Sequence, residues 1–410
     1  MGAAGPVSRR GRLQARARSF VARVETRLRR AWARERMRRT SAPRVLVVDV
    51  VIPAHDRGAG HLRLTWILRL LRSLGCHVTL FTTQQRVRRD PYTRQLERLG
   101  IEVELSAASF TAFAVTRPGV YDLVFLSGAD AAASLIDESR RAFPEATILY
   151  DSIDLHFLRQ GRKADVVGGP SERDYWHAKE LECIQRSDLT ATVTETEAEI
   201  VRSLVSTART VVLPVVYELD PTPRLPYDAT SDLLFVGGFL HDPNVDAVQY
   251  FVREVLPLVT DEVDARLWVI GQQPPEEIRA LESPSVVVTG HVPDVEHHLR
   301  RARVFVSPVR YGAGMKGKNV QAMVHGLPLV TTGIGAEGMD LVDGQHALIR
   351  DGAEAFAAGV VSLYRDPALW ERLATSSREV ARTRWSPAAM RARLDDLLDS
   401  TARSRRARRS

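Results

Sequence analysis

The stretch RVFVSPVRYGAGMKGKNVQAMVHGLPLV, residues 303–330, holds a whole structural unit in one line. Its β-branched opening, RVFVSPV (303–309), reads as a strand buried on both faces. A loop follows in which Gly312, Gly314 and Gly317 are interspersed with Lys316 and Lys318. Val320, Met323 and Val324 then fall at the apolar positions of a helix, and LPLV (327–330) has the pattern of another buried strand. Strand, loop, helix and strand is the unit from which parallel sheets are built. The loop carries a chemistry of its own. Glycine lets backbone approach a ligand closely. A helix N-terminus offers unpaired N–H groups and partial positive charge. Lysine binds phosphate as a point charge and tolerates varied geometry. Together they suit a diphosphate, although a solvated glycine-rich surface loop has the same composition. The stretch is not a P-loop, which needs Gly-Lys-Ser/Thr.

The same rhythm runs outward in both directions. RVLVVDVV (44–51), HVTLFTT (77–83), YDLVFLSG (121–128), ATILYDS (146–152), LTATVT (189–194) and TVVLPVV (210–216) are strand candidates, with helix-length stretches between several of them. One such stretch, HLRLTWILRLLRSLG (61–75), stops at Gly75 as helices commonly do. Residues 217–230, YELDPTPRLPYDAT, break the pattern with three prolines and read as a linker. LLFVGGF (233–239), RLWVIG (266–271), VVVTGHV (286–292) and RVFVSPV then give four strand candidates in a second half. The segment from about Asp366 to Thr401 is helical in pattern, with Pro387 placed near a helix start after Ser386. The expectation is an α/β chain of two Rossmann-like, doubly wound domains facing across a cleft. Residues 44–216 form the N-terminal domain, 217–230 the linker and 231–385 the C-terminal domain. Residues 386–410 form a helix that packs back towards the first domain and ends in a basic tail.

Composition narrows the class. A chain of 410 residues is too long for one ordinary core. Two cysteines, Cys76 and Cys183, imply no disulfide framework and a reducing compartment, and both read as small buried hydrophobes. The start lacks a signal-peptide core, and no apolar run of about 18 residues is present. The net charge of +7 is uneven: residues 1–44 carry +12 and residues 401–410 carry +5, leaving −10 for residues 45–400. The basic pI therefore reflects the tails, and no specific nucleic-acid partner is expected. In residues 1–43, Leu13, Ala17, Phe20, Val21, Val24, Leu28, Ala31 and Trp32 recur at helical spacing among arginines. That is a basic amphipathic arm suited to an anionic membrane surface, where each arginine contributes about 1 kcal/mol. A solvated arm or a helix packed on a partner has the same pattern.

SPVRYGAGMKGKNVQAMVHGLPLVTTGIGAEGM resembles the donor-binding segment of family 4, or group 1, glycosyltransferases of GT-B architecture. LLFVGGFLHDPNVDAVQYFVREVLPLV resembles the opening of their C-terminal domain, VVVTGHVPDVEHHLRRARVFVSPV their central strand–helix–strand, and YDSIDLHFLR their N-domain Asp-x-x-Asp-x-His stretch. The resemblance covers about residues 44–400 and is most specific over 233–341. It implies retaining, metal-independent transfer from a UDP-, GDP- or dTDP-sugar, with no further cofactor. The basic arm, rather than the resemblance, motivates the further expectation of a glycan or lipid-linked envelope precursor as acceptor and of a cytoplasmic enzyme peripheral on the inner membrane face. Lys316 and Lys318 would stabilise the leaving diphosphate, with Gly312 and Gly314 offering backbone N–H groups and GIGAEG, with Gly335 and Glu337, forming a second donor-side loop. In the N-domain, Gly58 and Gly60 follow the first strand where a ligand can approach. Asp151, Asp154 and His156 follow ATILY, Asp151 and His156 as catalytic candidates, with Arg159 near an anionic acceptor or a carboxylate. The His297–His298 pair reads as helix surface rather than a metal site.

Two departures from the family pattern bear on activity. Its Glu-x7-Glu pair reads Ala313 and Gln321 here. Glutamine still accepts a hydrogen bond from a ribose, but exchanging a charged bond for a neutral one loses about 1 kcal/mol, roughly five- to tenfold. Many relatives also carry an arginine and a lysine near FVGGFLHD, where this chain has Gly238, Phe239, His241 and Asp242. A weak or inactive GT-B scaffold at the membrane and a GT-B sugar-nucleotide epimerase are the alternatives. A nicotinamide dehydrogenase is excluded, since no Gly-x-Gly-x-x-Gly follows the first strand.

Overall fold

The computed structural model describes residues 42–85 and 87–409. The basic amphipathic arm expected in residues 1–43 lies almost wholly outside the described residues. Two parallel sheets account for the strand rhythm. The first contains β1 (Arg44–Asp49), β2 (His77–Thr82), β3 (Glu102–Glu104), β4 (Leu123–Ser127), β5 (Thr147–Asp151), β6 (Leu189–Thr192) and β7 (Thr210–Val212). Its order is β3-β2-β1-β4-β5-β6-β7. The second contains β8 (Ser231–Val236), β9 (Leu267–Ile270), β10 (Val286–Gly290), β11 (Ala302–Ser307), β12 (Leu329–Thr331) and β13 (Leu348–Ile349), in the order β10-β9-β8-β11-β12-β13. Every pairing between these strands is parallel. Helices cover both faces, which is why the central strands read as continuous apolar runs rather than alternating ones. This is the α/β, GT-B arrangement of two doubly wound sheets that the strand rhythm and the resemblance imply.

Three differences have local causes. TVVLPVV forms strand only over Thr210–Val212, because Pro214 has no N–H for a ladder. The second sheet has six strands: beside the four of the second-half rhythm and LPLV, which supplies β12, it holds the two-residue β13, too short for any periodicity. β3, three residues long at the edge of the first sheet, was likewise not expected.

The last helix, Pro387–Arg409, returns to the first sheet. Ser386 Oγ accepts from the backbone N–H of Ala389 at 3.3 Å at its start. Met390, Leu394 and Leu397 are buried in the same core as Val45, Val47 and Phe125. Each such side chain contributes roughly 1.5–3 kcal/mol over exposure to water. Arg391 donates to Ser73 Oγ at 2.6 Å and Arg393 to the carbonyl of Val212 at 3.0 Å. The chain thus leaves the first domain at the linker and is tied back to it at the end. Both cysteines are buried and unpaired, and burial pushes their thiols up, to about 11 for Cys76 and about 12 for Cys183. No helix among the described residues is long and apolar enough to cross a membrane.

Candidate active site

In each sheet the strand order reverses beside the first strand, between β1 and β4 and between β8 and β11. Loops at the C-terminal ends of strands diverge at such a point and leave a crevice. The two crevices face one another. An added β-carbon at Gly314 would meet Asp154 Cβ at 3.0 Å and Val193 at 3.3 Å; one at Gly317 would meet Ala59 Cβ at 2.7 Å; one at Gly338 would meet Thr194 at 2.6 Å. Glycine at these positions is what lets the donor-side loops touch the first domain.

The donor side is built around the helix Gly317–Val324. Lys316 is its N-cap residue and Lys318 lies in its first turn. Lys316 is buried, and its Nζ donates to the carbonyl of Gly314 at 3.0 Å. Lys318 Nζ donates to Asn244 Oδ1 and sits 4.5 Å from the ring centroid of Phe235. Asn244 in turn donates to the carbonyl of Gly238 at 2.7 Å, so one amide joins the loop after β8 to the lysine helix. Burial pushes Lys316 down to about 8, against the charges of Glu337 and Glu197, which raise it. Burial and the charge of Lys316 push Lys318 down to about 7. These hydrogen bonds go to neutral oxygens at the positive end of a helix, a place that stabilises an anion.

Across the cleft, the loop Ser152–Leu155 leads from β5 into the helix His156–Val167. Ile153 stands at φ 64°, a backbone region that β-branched residues rarely enter. The backbone N–H of Asp154 donates to the Ser152 carbonyl at 2.7 Å, and Ile153 packs against Gly60 and Gly128. A residue locked in that conformation sets the direction in which the chain enters the helix. His156 stacks on Trp176 at 4.3 Å between centroids, and its Nδ1 lies 3.0 Å from Glu180 Oε1. Burial alone would lower the imidazole, but the hydrogen bond to Glu180 and the charge of Asp154 hold it above its ordinary value. Arg159 pairs with Asp154. Arg162 crosses to the donor side, with both Nη atoms 2.7 Å from Glu337 and Nη1 also 2.7 Å from the carbonyl of Gly312. Lys163 pairs with Asp242, and Gln272 Nε2 donates to the Arg57 carbonyl at 2.7 Å.

The expected residues thus separate. Lys316, Lys318, Gly312, Gly314 and Glu337 meet Asp154, His156 and Arg159 at one cleft. Gly58 and Gly60 stand at the start of the helix Ala59–Ser73, beside that cleft. Gln321, one turn on from Lys318, opens onto a crevice of about 620 Å3 that His55, Trp66, Tyr217 and His325 also line. Two expectations need correction. Asp151 is fully buried, and Arg63, itself 1% exposed, covers both of its oxygens at 2.7 and 2.8 Å; neither oxygen is open to a substrate in the cleft. Gly335 has its N–H on Thr332 Oγ1 at 2.9 Å and its carbonyl on Asn319 at 2.9 Å, so it packs the donor loop rather than offering it a donor.

Sequence reasoning missed Glu180, Glu197 and Asn244. Glu180 is fully buried and also accepts from the backbone N–H groups of His156 and Phe157, at 2.9 and 3.2 Å. A lone glutamate within the helix Arg173–Arg186 carries no signal of that role. Glu197 had one: Thr194 and Glu197 have capping-box spacing. His297 and His298 lie on the helix Val295–Arg301, and no cluster of metal-ligating side chains is present among the described residues.

Residues 230–366 match a family model described as Glycosyl transferases group 1. An uncharacterized 44.6 kDa protein in the cps region of Klebsiella pneumoniae is 25% identical over 141 residues, and the match spans 32% of this chain and 36% of that protein. Sucrose-phosphate synthase from Thermosynechococcus elongatus has a similar structure, with a TM-score of 0.69 at 17% identity over 88% of this chain and 100% of that one. HepE of Anabaena, solved with UDP and glucose, gives a TM-score of 0.66 at 13% identity over 87% of this chain and 100% of that one.

Proposed function

We propose that this chain, a GT-B fold whose residues 230–366 match the group 1 glycosyltransferases, moves a sugar from a nucleotide-sugar to an acceptor hydroxyl. One observation carries the reading. Two lysines are buried at one helix N-terminus with neutral oxygens as hydrogen-bond partners, and both are depressed towards neutrality. A diphosphate there reverses that depression, because an anion favours the charged form.

In this reading the bond between the anomeric carbon and the β-phosphate oxygen breaks as the acceptor oxygen attaches, with retention at that carbon, and the acceptor's proton passes to the departing diphosphate oxygen. Lys316, Lys318 and the helix N–H groups take up the charge developing on the departing oxygen. Removing one such donor costs about 100- to 1000-fold in rate elsewhere. Glu337 and Asp154 face the sugar, and His156, held by Glu180, orients the sugar or the acceptor hydroxyl.

The test is donor binding. UDP-, GDP- and dTDP-sugars are screened by thermal shift and calorimetry against the native chain and Lys316→Ala/Lys318→Ala, with UDP-sugars first because HepE was solved with UDP and glucose. A ligand that binds only the native state raises the melting temperature by mass action. A shift with one nucleotide class, lost in the double variant, is expected. No shift with any donor in a folded sample rejects the reading in favour of an inactive scaffold, the alternative that Ala313 and Gln321 favour. The acceptor in this reading is a glycan or lipid-linked envelope precursor at the inner membrane face, with residues 1–43 as the anchor. Deleting them should release the chain from anionic vesicles, and unchanged vesicle binding rejects the anchor.

A further inference from the structure

Glu197 is a buried acid that the chemistry above does not use. It lies in the first turn of the helix Glu195–Leu204, whose N-cap residue Thr194 accepts from the Glu197 N–H at 3.2 Å. In an ordinary capping box the glutamate at this position returns to the N–H of its own cap residue. Here Oε1 accepts instead from the backbone N–H of Leu155 at 3.1 Å, in the loop that carries Asp154 and His156. The other oxygen, Oε2, is buried with no hydrogen-bond partner. Leaving such an oxygen unpaired is costly unless a charge compensates it.

The backbone of Val193 also favours the carboxylate, and a compensating charge comes from the other domain. Gly314, whose carbonyl holds Lys316, abuts Val193 and Asp154, and Gly338 abuts Thr194, so the donor loops clasp the cap of this helix. The charges of Lys316 and Glu197 act on one another across that contact. We propose that Glu197 is a positioning residue of the cleft: its carboxylate fixes the Leu155 loop with one oxygen and, with the other, keeps Lys316 in the ammonium form that meets the donor diphosphate. The inference deepens the glycosyltransferase reading and rests on it for the identity of the anion.

The groups facing this pair fix the sign of its pH dependence. Lys316 faces Glu337, Glu197 and Asp154, which raise it, and Arg162, which lowers it; Lys318, beside it, is itself lowered by the Lys316 charge. Glu197 faces Asp154 and Lys316, and burial followed by Asp154 pushes it up to about 7. Above that value Glu197 is charged and supports Lys316. Removing the charge lowers Lys316, so the alkaline loss of anion binding must move to lower pH.

Glu197→Gln separates this role from a structural one, because glutamine serves a capping box and still accepts from Leu155, through a weaker, neutral hydrogen bond, while carrying no charge. UDP affinity is measured from pH 6 to 9.5 in the native chain, Glu197→Gln and Lys316→Arg. Expected are an alkaline limb in the native chain, the same limb at lower pH by roughly half a unit or more in Glu197→Gln, and in Lys316→Arg only the limb that Lys318 leaves, which adding Glu197→Gln does not move, since arginine stays charged. A folded Glu197→Gln whose limb coincides with the native one overturns the proposal and leaves a capping carboxylate. A second measurement needs neither UDP nor a stable variant. The chain has four lysines, so their 13Cε signals resolve, and Lys316→Arg assigns one of them. The Lys316 signal should show a second inflection near pH 7 that persists in Lys318→Arg, where the neighbouring lysine no longer titrates; a single inflection there overturns the coupling. A native chain that shows both inflections but binds no nucleotide sinks the glycosyltransferase reading and keeps the coupling.

Discussion

Replacing Arg63 by methionine should unfold the first domain far more readily than any change at the cleft. Arg63 and Asp151 are 2% and 0% exposed at their side chains and share a two-pronged contact, and Arg63 Nε also donates to the Leu213 carbonyl at 2.6 Å. Removing one partner of a buried pair leaves an uncompensated charge and costs about 3–5 kcal/mol. At about 2–4 °C per kcal/mol for a domain of this size, the melting temperature falls by roughly 6–20 °C. The double variant Arg63→Met/Asp151→Leu removes both charges with similar volume and recovers most of that loss. It stays short by about 1–3 kcal/mol, because the Leu213 carbonyl is left buried without its donor. Thermal and denaturant unfolding of the two single variants and the double variant measure this cycle, with donor turnover assayed well below each transition. Asp151→Asn should lose stability on the scale of Arg63→Met and retain turnover while folded. An Asp151→Asn protein that melts like the native chain yet has lost turnover would show that Asp151 is catalytic and refute the assignment.

Arg162→Met removes the contact from the first domain to Glu337 and Gly312. With the Arg162–Glu337 pair about a quarter exposed, its cost in stability stays near 1 kcal/mol. The readout is instead the cleft: small-angle scattering should give a larger radius of gyration without ligand, and an unchanged one contradicts the bridging role. His156 is raised in the folded chain by Glu180 and Asp154 against the effect of burial, so its contribution to stability is fully present below the unfolded value of about 6.5 and is lost as pH rises through the folded value. The difference in unfolding free energy between the native chain and His156→Gln should therefore shrink with rising pH, and one that grows with pH contradicts the pairing.

Much of the fold was legible because it is written locally. Short continuous apolar runs such as RVLVVD and LVFLS have the pattern of strands covered on both faces. Prolines between residues 217 and 230 stop both helix and ladder. The place of the lysine loop was legible for the same reason: its glycines and lysines stand within seven residues, just before the helix Gly317–Val324. Short edge strands such as β13 hold too few residues for a period to show.

Partnership was not legible, and it sets what the charged residues do. Asp151 follows a strand just as a cleft carboxylate should, and only the fold brings Arg63, 88 residues away, onto both its oxygens. Arg162 and Glu337, 175 residues apart, are joined only by the docking of two sheets. Glu180 and Glu197 look like surface glutamates until packing buries them. The order of residues is enough to say which segments are strands, where the chain divides, and that one glycine-rich loop brings two lysines to a helix start, since these are consequences of backbone propensity and side-chain type. Which carboxylates and cations are free to act at that loop is set by the folded arrangement, because a charge's role depends on its burial and on the opposite charge that distant chain brings within reach.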